Sequence, residues 1–113
     1  TYIAGSSVAP DVVAEVKKHV KKGETIMVIL DSDHSKKHVD QELKIYSDLV
    51  SKGCYLIVED SNVNGHPVLV DHGPGPMEAI EEFLAGDDRF IIDDEKEKFY
   101  MTFNPRGYLK RVK

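Results

Sequence analysis

The chain has 113 residues, 41% of them hydrophobic and 31% charged, with a formal net charge of −5. These values describe one globular domain over residues 1–113, or part of a larger one. The acidic balance and the lack of a broad basic stripe argue against nucleic acid as a partner, and no apolar run approaches the ~20 residues that span a membrane. Cys54 is the single cysteine, so we expect no internal disulfide and a reducing, cytoplasmic compartment.

The first half of the chain is predicted to alternate between strands and helices. Residues 1–4 resemble the end of a strand, and Pro10 can open a helix because its fixed φ suits the first turn. Gly23 is expected to end that helix. A strand over residues 25–30 is apolar on both faces, as in the centre of a parallel sheet. Ser35 is then expected to cap the next helix.

The second half continues this alternation before it changes. A continuous apolar strand is predicted over residues 54–58, followed by a loop over residues 61–75 that is rich in glycine, proline and asparagine. Loops of this length inside compact domains are often functional. A third helix is expected to open at Pro76 and to close at Gly86.

The C-terminal segment is predicted to form an antiparallel hairpin from residues 90–92 and 99–103, on either side of a charged turn. Alternating strands and helices favour a parallel sheet with helices on both faces. The hairpin makes that sheet mixed. The predicted fold class is therefore α/β.

Acidic residues follow both central strands. Asp31 and Asp33 come after the first strand, and Glu59 and Asp60 directly follow the second. Ligands of open parallel sheets lie outside the carboxyl ends of the strands, and converging carboxylates suit Mg²⁺. Acids at strand ends are also ordinary solvent-facing residues or helix caps, and the sequence leaves open whether Asp31 or Asp33 points inward.

His34, three residues after Asp31, is the candidate general base. It could equally be a further metal ligand or a solvent-exposed residue at the start of the helix. His38, one helical turn later, is expected at the surface. The tripeptide Gly5-Ser6-Ser7 offers N–H groups and hydroxyls to a ligand, although alone such a tripeptide is usually a turn.

Four segments of the sequence carry a family resemblance: ILDSDHSKKHVDQEL, YLIVEDSNVNGHPV, GPGPMEAIEEFL and FNPRGYLKR. Together they resemble the cephalosporin hydroxylase / rhamnosyl O-methyltransferase family over essentially the whole chain. The resemblance implies a Rossmann-like class I O-methyltransferase that uses S-adenosylmethionine and a divalent metal, usually Mg²⁺. It implies that Asp31, Glu59 and Asp60 bind the metal, and that His34 takes the proton of a substrate hydroxyl before the oxygen attacks the sulfonium methyl group.

The resemblance also implies that Gly5, Ser6 and Ser7 line the adenine pocket, and that the substrate is a sugar or an antibiotic-like small molecule. Family members are about twice as long, and their amino-terminal half carries the Gly-rich cofactor loop. We therefore expect this chain to be the C-terminal portion of the fold, with weak or absent methyl transfer on its own. Exposed strand edges favour a homo-oligomer.

Two alternatives belong to other functional classes. The first is a non-catalytic α/β domain that keeps its shape by self-association. The second is a phospho-acceptor receiver domain, which has a similar length and also carries acids at strand ends. The receiver fits poorly because the acid pair Glu59-Asp60 comes too late in the chain.

Overall fold

The computed structural model describes residues 1–98 and 101–113. The helices and strands follow one another in the order α1 (Pro10–His19), β1 (Val28–Leu30), α2 (Lys36–Tyr46), β2 (Tyr55–Val58), α3 (Pro76–Gly86), β3 (Phe90–Ile92) and β4 (Tyr108–Arg111). Short 3₁₀ turns cover Ser47–Leu49 and Asp94–Lys96. None of the described helices combines the length and the apolar composition needed to cross a bilayer.

The four strands form one mixed sheet in the order β1-β2-β4-β3. Strands β1 and β2 are parallel, whereas β4 is antiparallel to both of its neighbours, β2 and β3. The predicted α/β class is confirmed, and the arrangement is consistent with part of a Rossmann-like sheet.

The predicted C-terminal hairpin is wrong in its second strand. The partner of β3 is β4, whereas residues 101–103 form no strand and Phe99 and Tyr100 lie outside the described residues. Strand β4 inserts between β2 and β3, pairs on both sides and buries Leu109 completely. Its sequence, Tyr-Leu-Lys-Arg, conceals this inner position because it lacks the continuous apolar run that is typical of a strand in the centre of a sheet.

Several element boundaries also differ from those predicted. Residues 1–4 form no strand, and the strand expected over residues 25–30 is limited to Val28–Leu30. Helix α1 ends at His19 rather than at Gly23, and none of its residues is buried. Because α1 packs against the core only through partly buried residues, tertiary packing does little to extend that helix. Helix α3, in contrast, has the predicted bounds.

The core lies between one face of the sheet and the helices. Val13 and Val16 of α1 pack against the same cluster as α2 and α3, so the second helical layer that was predicted is not found among the described helices. On the other face of the sheet, Ile29 and Ile91 are 52% and 50% exposed. The buried apolar side chains of the cluster are Leu30, Val39, Leu43, Tyr46, Val50, Leu56, Val58, Ala79, Ile80, Phe90 and Leu109.

The parallel pairing of β1 and β2 brings their carboxyl ends side by side. Leu30 lies opposite Val58, and the N–H of Glu59 donates to the carbonyl of Leu30 at 2.9 Å. Residues 31–34 and 59–60 therefore meet at one edge of the sheet.

Candidate metal centre

Three side chains converge at this edge of the sheet. Asp31, His34 and Asp60 each offer one ligand atom, and these atoms all lie within 4.8 Å of one another. His34 Nε2 is 3.1 Å from Asp60 Oδ2 and 3.7 Å from Asp31 Oδ1. This donor set fits a hard divalent cation, because Mg²⁺ usually binds through one or two carboxylates and keeps several water ligands.

The backbone of Asp60 has a conformation that is uncommon for a residue with a side chain. Its φ is 53°, in the left-handed region that Asp and Asn enter more readily than other residues. The Asp60 N–H donates to Asn104 Oδ1 at 2.9 Å, and Asn104 is only 6% exposed. The C-terminal segment thereby holds Asp60 in its turn, a residue pairing that the sequence analysis missed.

A close backbone approach brings that segment to the site. The N–H of Val58 donates to the carbonyl of Gly107 at 2.9 Å. A Cβ atom at Gly107 would lie 2.3 Å from the carbonyl oxygen of Val58, so only glycine fits there. Ser61 adds a hydrogen bond from its hydroxyl to the carbonyl of Pro105 at 2.7 Å.

Two other predicted ligands lie outside the group of three. Asp33 Oδ1 accepts the N–H of Ser35 at 2.8 Å, and hydrogen bonds from the hydroxyl and the N–H of Ser35 lower the pKa of Asp33. Among the described residues, Glu59 is not part of the cluster either. Of the two acids after β1, Asp31 is the one that faces Asp60. The ligand roles of all four acids stay predictions.

The tripeptide Gly5-Ser6-Ser7 forms a turn before α1. Gly5 has φ +139°, and a Cβ atom there would lie 2.6 Å from Val12 Cγ2. Ser7 is tied to α2, because Tyr46 donates its hydroxyl to the Ser7 carbonyl at 2.6 Å. The role of this turn in cofactor binding stays a prediction.

Helix α2 contributes a buried polar cluster that the sequence analysis missed. Glu42 is 2% exposed, its Oε1 accepts the Ser32 hydroxyl at 2.8 Å, and its Oε2 has no partner among the described residues. The side chain of His38, expected at the surface, is only 18% exposed. Its Nε2 lies 3.0 Å from Ser7 Oγ and 3.1 Å from Ser32 Oγ. The available signal was the spacing of His38, Glu42 and Tyr46, which repeats every four residues and places them on one face of α2.

The side chain of Glu78 contacts three residues of the loop over residues 61–75. Glu78 accepts the N–H of Gly75 at 2.7 Å and the amide of Asn64 at 2.8 Å, and lies 2.9 Å from His66 Nε2. Burial raises the pKa of Glu78, but these hydrogen bonds outweigh burial and hold the pKa at about 2. The loop ends beside the candidate site, because a Cβ atom at Gly75 would lie 3.2 Å from the carbonyl of His34.

Comparison with known proteins identifies the family. A family model described as Rhamnosyl O-methyltransferase/CmcI matches residues 1–112. The chain belongs to this family. The resemblance found in the sequence is thereby confirmed.

Curated proteins named rhamnosyl O-methyltransferase align with nearly the whole chain. The rhamnosyl O-methyltransferases of Mycobacterium tuberculosis (strain ATCC 25618 / H37Rv) and Mycobacterium bovis (strain BCG / Pasteur 1173P2) are 44% identical over 117 residues, which is 97% of this chain and 46% of each relative. The enzyme of Mycobacterium leprae (strain TN) is 44% identical over 115 residues, with 97% and 49% covered. The chain thus spans about half the length of these relatives. No solved structure matches it.

Proposed function

We propose that this protein is an S-adenosylmethionine- and Mg²⁺-dependent O-methyltransferase that acts on a hydroxyl group of a sugar or a similar small molecule. Family membership and the names of the relatives support the reaction class. The observation that carries the proposal is the convergence of Asp31, His34 and Asp60 at the carboxyl ends of two parallel strands.

In this proposal Asp31 and Asp60 hold the cation. A bound Mg²⁺ would supply the positive charge that lowers the pKa of the substrate hydroxyl. Glu59, next to Asp60 in the chain, and Asp33 stay predicted ligands, and Gly5, Ser6 and Ser7 are proposed to line the adenine pocket.

His34 is proposed to remove the hydroxyl proton. Its Nε2 lies 3.1 Å from Asp60 Oδ2 and 3.7 Å from Asp31 Oδ1, which places the imidazole beside the proposed cation site, and an imidazole is a competent general base near neutral pH. S-adenosylmethionine, when bound, would supply the methyl group to the deprotonated substrate oxygen, with its carbon–sulfur bond as the bond that breaks. The sequence also left open that His34 is a metal ligand. Its place beside Asp31 and Asp60 is compatible with that role as well.

The chain spans about half of its relatives' length, so complete activity is proposed to need further strands. Strand β1 lies at the end of the sheet order, so one of its edges has no partner among the described strands, and such edges readily pair with other strands. We propose that the chain self-associates there and that methyl transfer by the chain alone is weak. On the same proposal it works in a reducing cytoplasm, the compartment expected from its single cysteine.

Cation binding separates this proposal from the alternative of a non-catalytic, self-associating domain. Isothermal titration with MnCl₂, a probe for Mg²⁺ sites, should show binding to the wild-type chain and a loss of about tenfold or more in affinity for Asp31→Asn, which removes one of two carboxylates. The matched control is Asp88→Asn. Asp88 precedes β3, is 82% exposed and pairs only at the surface with Lys113, so its removal should leave the affinity unchanged. Equal weak binding by all three proteins favours the non-catalytic domain.

A further inference from the structure

One face of α2 connects the loop after β1 to the turn before α1. His38, Glu42 and Tyr46 form this face and will be called the α2 stripe. The stripe contacts Ser32, which lies in the loop over residues 31–34, here called the metal loop. It also contacts Ser7 in the turn before α1. Ser7 Oγ and Ser32 Oγ are themselves 3.4 Å apart.

Glu42 is the buried centre of the α2 stripe. Its side chain is 3% exposed and, among the described residues, accepts one hydrogen bond, from the hydroxyl of Ser32. The second carboxyl oxygen is buried and unpartnered within the described part of the chain. His38 Nε2, at 3.6 Å from Glu42 Oε1, lies beyond hydrogen-bonding distance.

Fold stability does not explain a carboxyl group at this position. Burial of a polar oxygen without a partner opposes folding. An apolar side chain of similar length would fill the same space without that cost. Ser32, the partner of Glu42, is itself exposed, so its hydroxyl could bond to water instead. The one specific effect of Glu42 is therefore to fix the position of Ser32.

We propose that Glu42 is a positioning residue for the cation site. By holding Ser32, it fixes the loop over residues 31–34, so that Asp31 and His34 stay directed at Asp60. His38 extends the same restraint to Ser7, which couples the turn before α1 to the metal loop. This inference rests on the proposed cation site and adds to it a residue that touches neither ion nor substrate.

The test compares cation affinity with thermal stability in three variants. Glu42→Met removes the hydrogen bond and the unpartnered oxygen together, so we expect about tenfold weaker Mn²⁺ binding, the lower end of what such supporting contacts contribute, with an unchanged or higher Tm. Glu42→Gln keeps an oxygen that accepts the Ser32 hydroxyl, and should bind Mn²⁺ within about threefold of the wild type. Ser32→Ala keeps the carboxyl group but loses the bond, and should resemble Glu42→Met in affinity.

These variants separate positioning from the other effects that Glu42 could have. Affinity that is lost equally in Glu42→Gln and Glu42→Met would point to charge rather than to position and would overturn the inference. The same holds if the affinity of Glu42→Met falls only together with its Tm, or if both Glu42→Met and Ser32→Ala bind like the wild type. A wild-type chain that binds no Mn²⁺ removes the cation site and this inference together. If Mn²⁺ affinity falls in Asp31→Asn but in neither Glu42→Met nor Ser32→Ala, the cation site stands and only the inference about Glu42 fails.

Discussion

The loop over residues 61–75 should depend strongly on the ionised carboxylate of Glu78. This side chain accepts hydrogen bonds from Gly75 and Asn64 and contacts His66. Glu78→Gln preserves the size of the side chain but removes the charge, and its amide can satisfy fewer of these donors. We therefore expect a loss of stability that depends on pH.

The size and sign of this effect follow from the pKa of Glu78. This pKa is about 2 in the folded chain, against an ordinary value of 4.5. The difference corresponds to at most about 3 kcal/mol in the free energy of unfolding. The side chain is 26% exposed, and solvent screening lowers the contribution to about 2 kcal/mol. Because the pKa is lowered on folding, the stabilisation is complete above about pH 4.5 and is lost as the pH falls towards 2.

Urea unfolding at pH 7 and pH 3 measures this contribution. We expect Glu78→Gln to be less stable than the wild type by about 2 kcal/mol at pH 7, and this difference to shrink by more than half at pH 3. The control is Glu81→Gln on the same helix, an exposed carboxylate that pairs with Arg106 and should cost less than about 1 kcal/mol at either pH. A Glu78→Gln difference that is identical at both pH values would refute the reasoning.

Two further predictions concern the C-terminal segment that supports Asp60. Gly107→Ala should destabilise the fold by about 3 kcal/mol in thermal unfolding, because its Cβ atom would lie 2.3 Å from the Val58 carbonyl oxygen. The control is Gly86→Ala, which should not destabilise the fold because nothing lies within 4 Å of the new atom. Asn104→Ala leaves the Asp60 N–H without its partner, which should cost about 1–3 kcal/mol and weaken Mn²⁺ binding about tenfold. Unchanged Mn²⁺ affinity in a folded Asn104→Ala protein would show that Asn104 does not orient Asp60.

Local sequence signals predicted the elements that carry clear start and stop residues. Helix α3 is bounded by Pro76 and Gly86, and the long loop before it is rich in glycine and proline, so both were found from the sequence. Strand β4 was missed because its buried side chain, Leu109, is flanked by basic and aromatic residues that suggest an edge strand. Its inner position depends on pairing with two distant strands, which local patterns do not encode.

The candidate site was predictable only where it follows from topology. Acids after two neighbouring parallel strands must meet at one edge, and Asp31 and Asp60 do so. Asn104 and Glu42 contact the site loops through side-chain hydrogen bonds to residues 44 and 10 positions away in the chain. The four-residue spacing of His38, Glu42 and Tyr46 places Glu42 on one face of α2, but it does not identify Ser32 as the partner, and nothing local to Asn104 points to Asp60.

Anomalous diffraction from crystals of this protein grown with MnCl₂ tests the central claim most directly. We expect one strong peak between Asp31 and Asp60, with carboxylate oxygens at roughly 2.0–2.3 Å from the ion. The claim is contradicted if the map shows no peak there, or if the two carboxylates point away from each other.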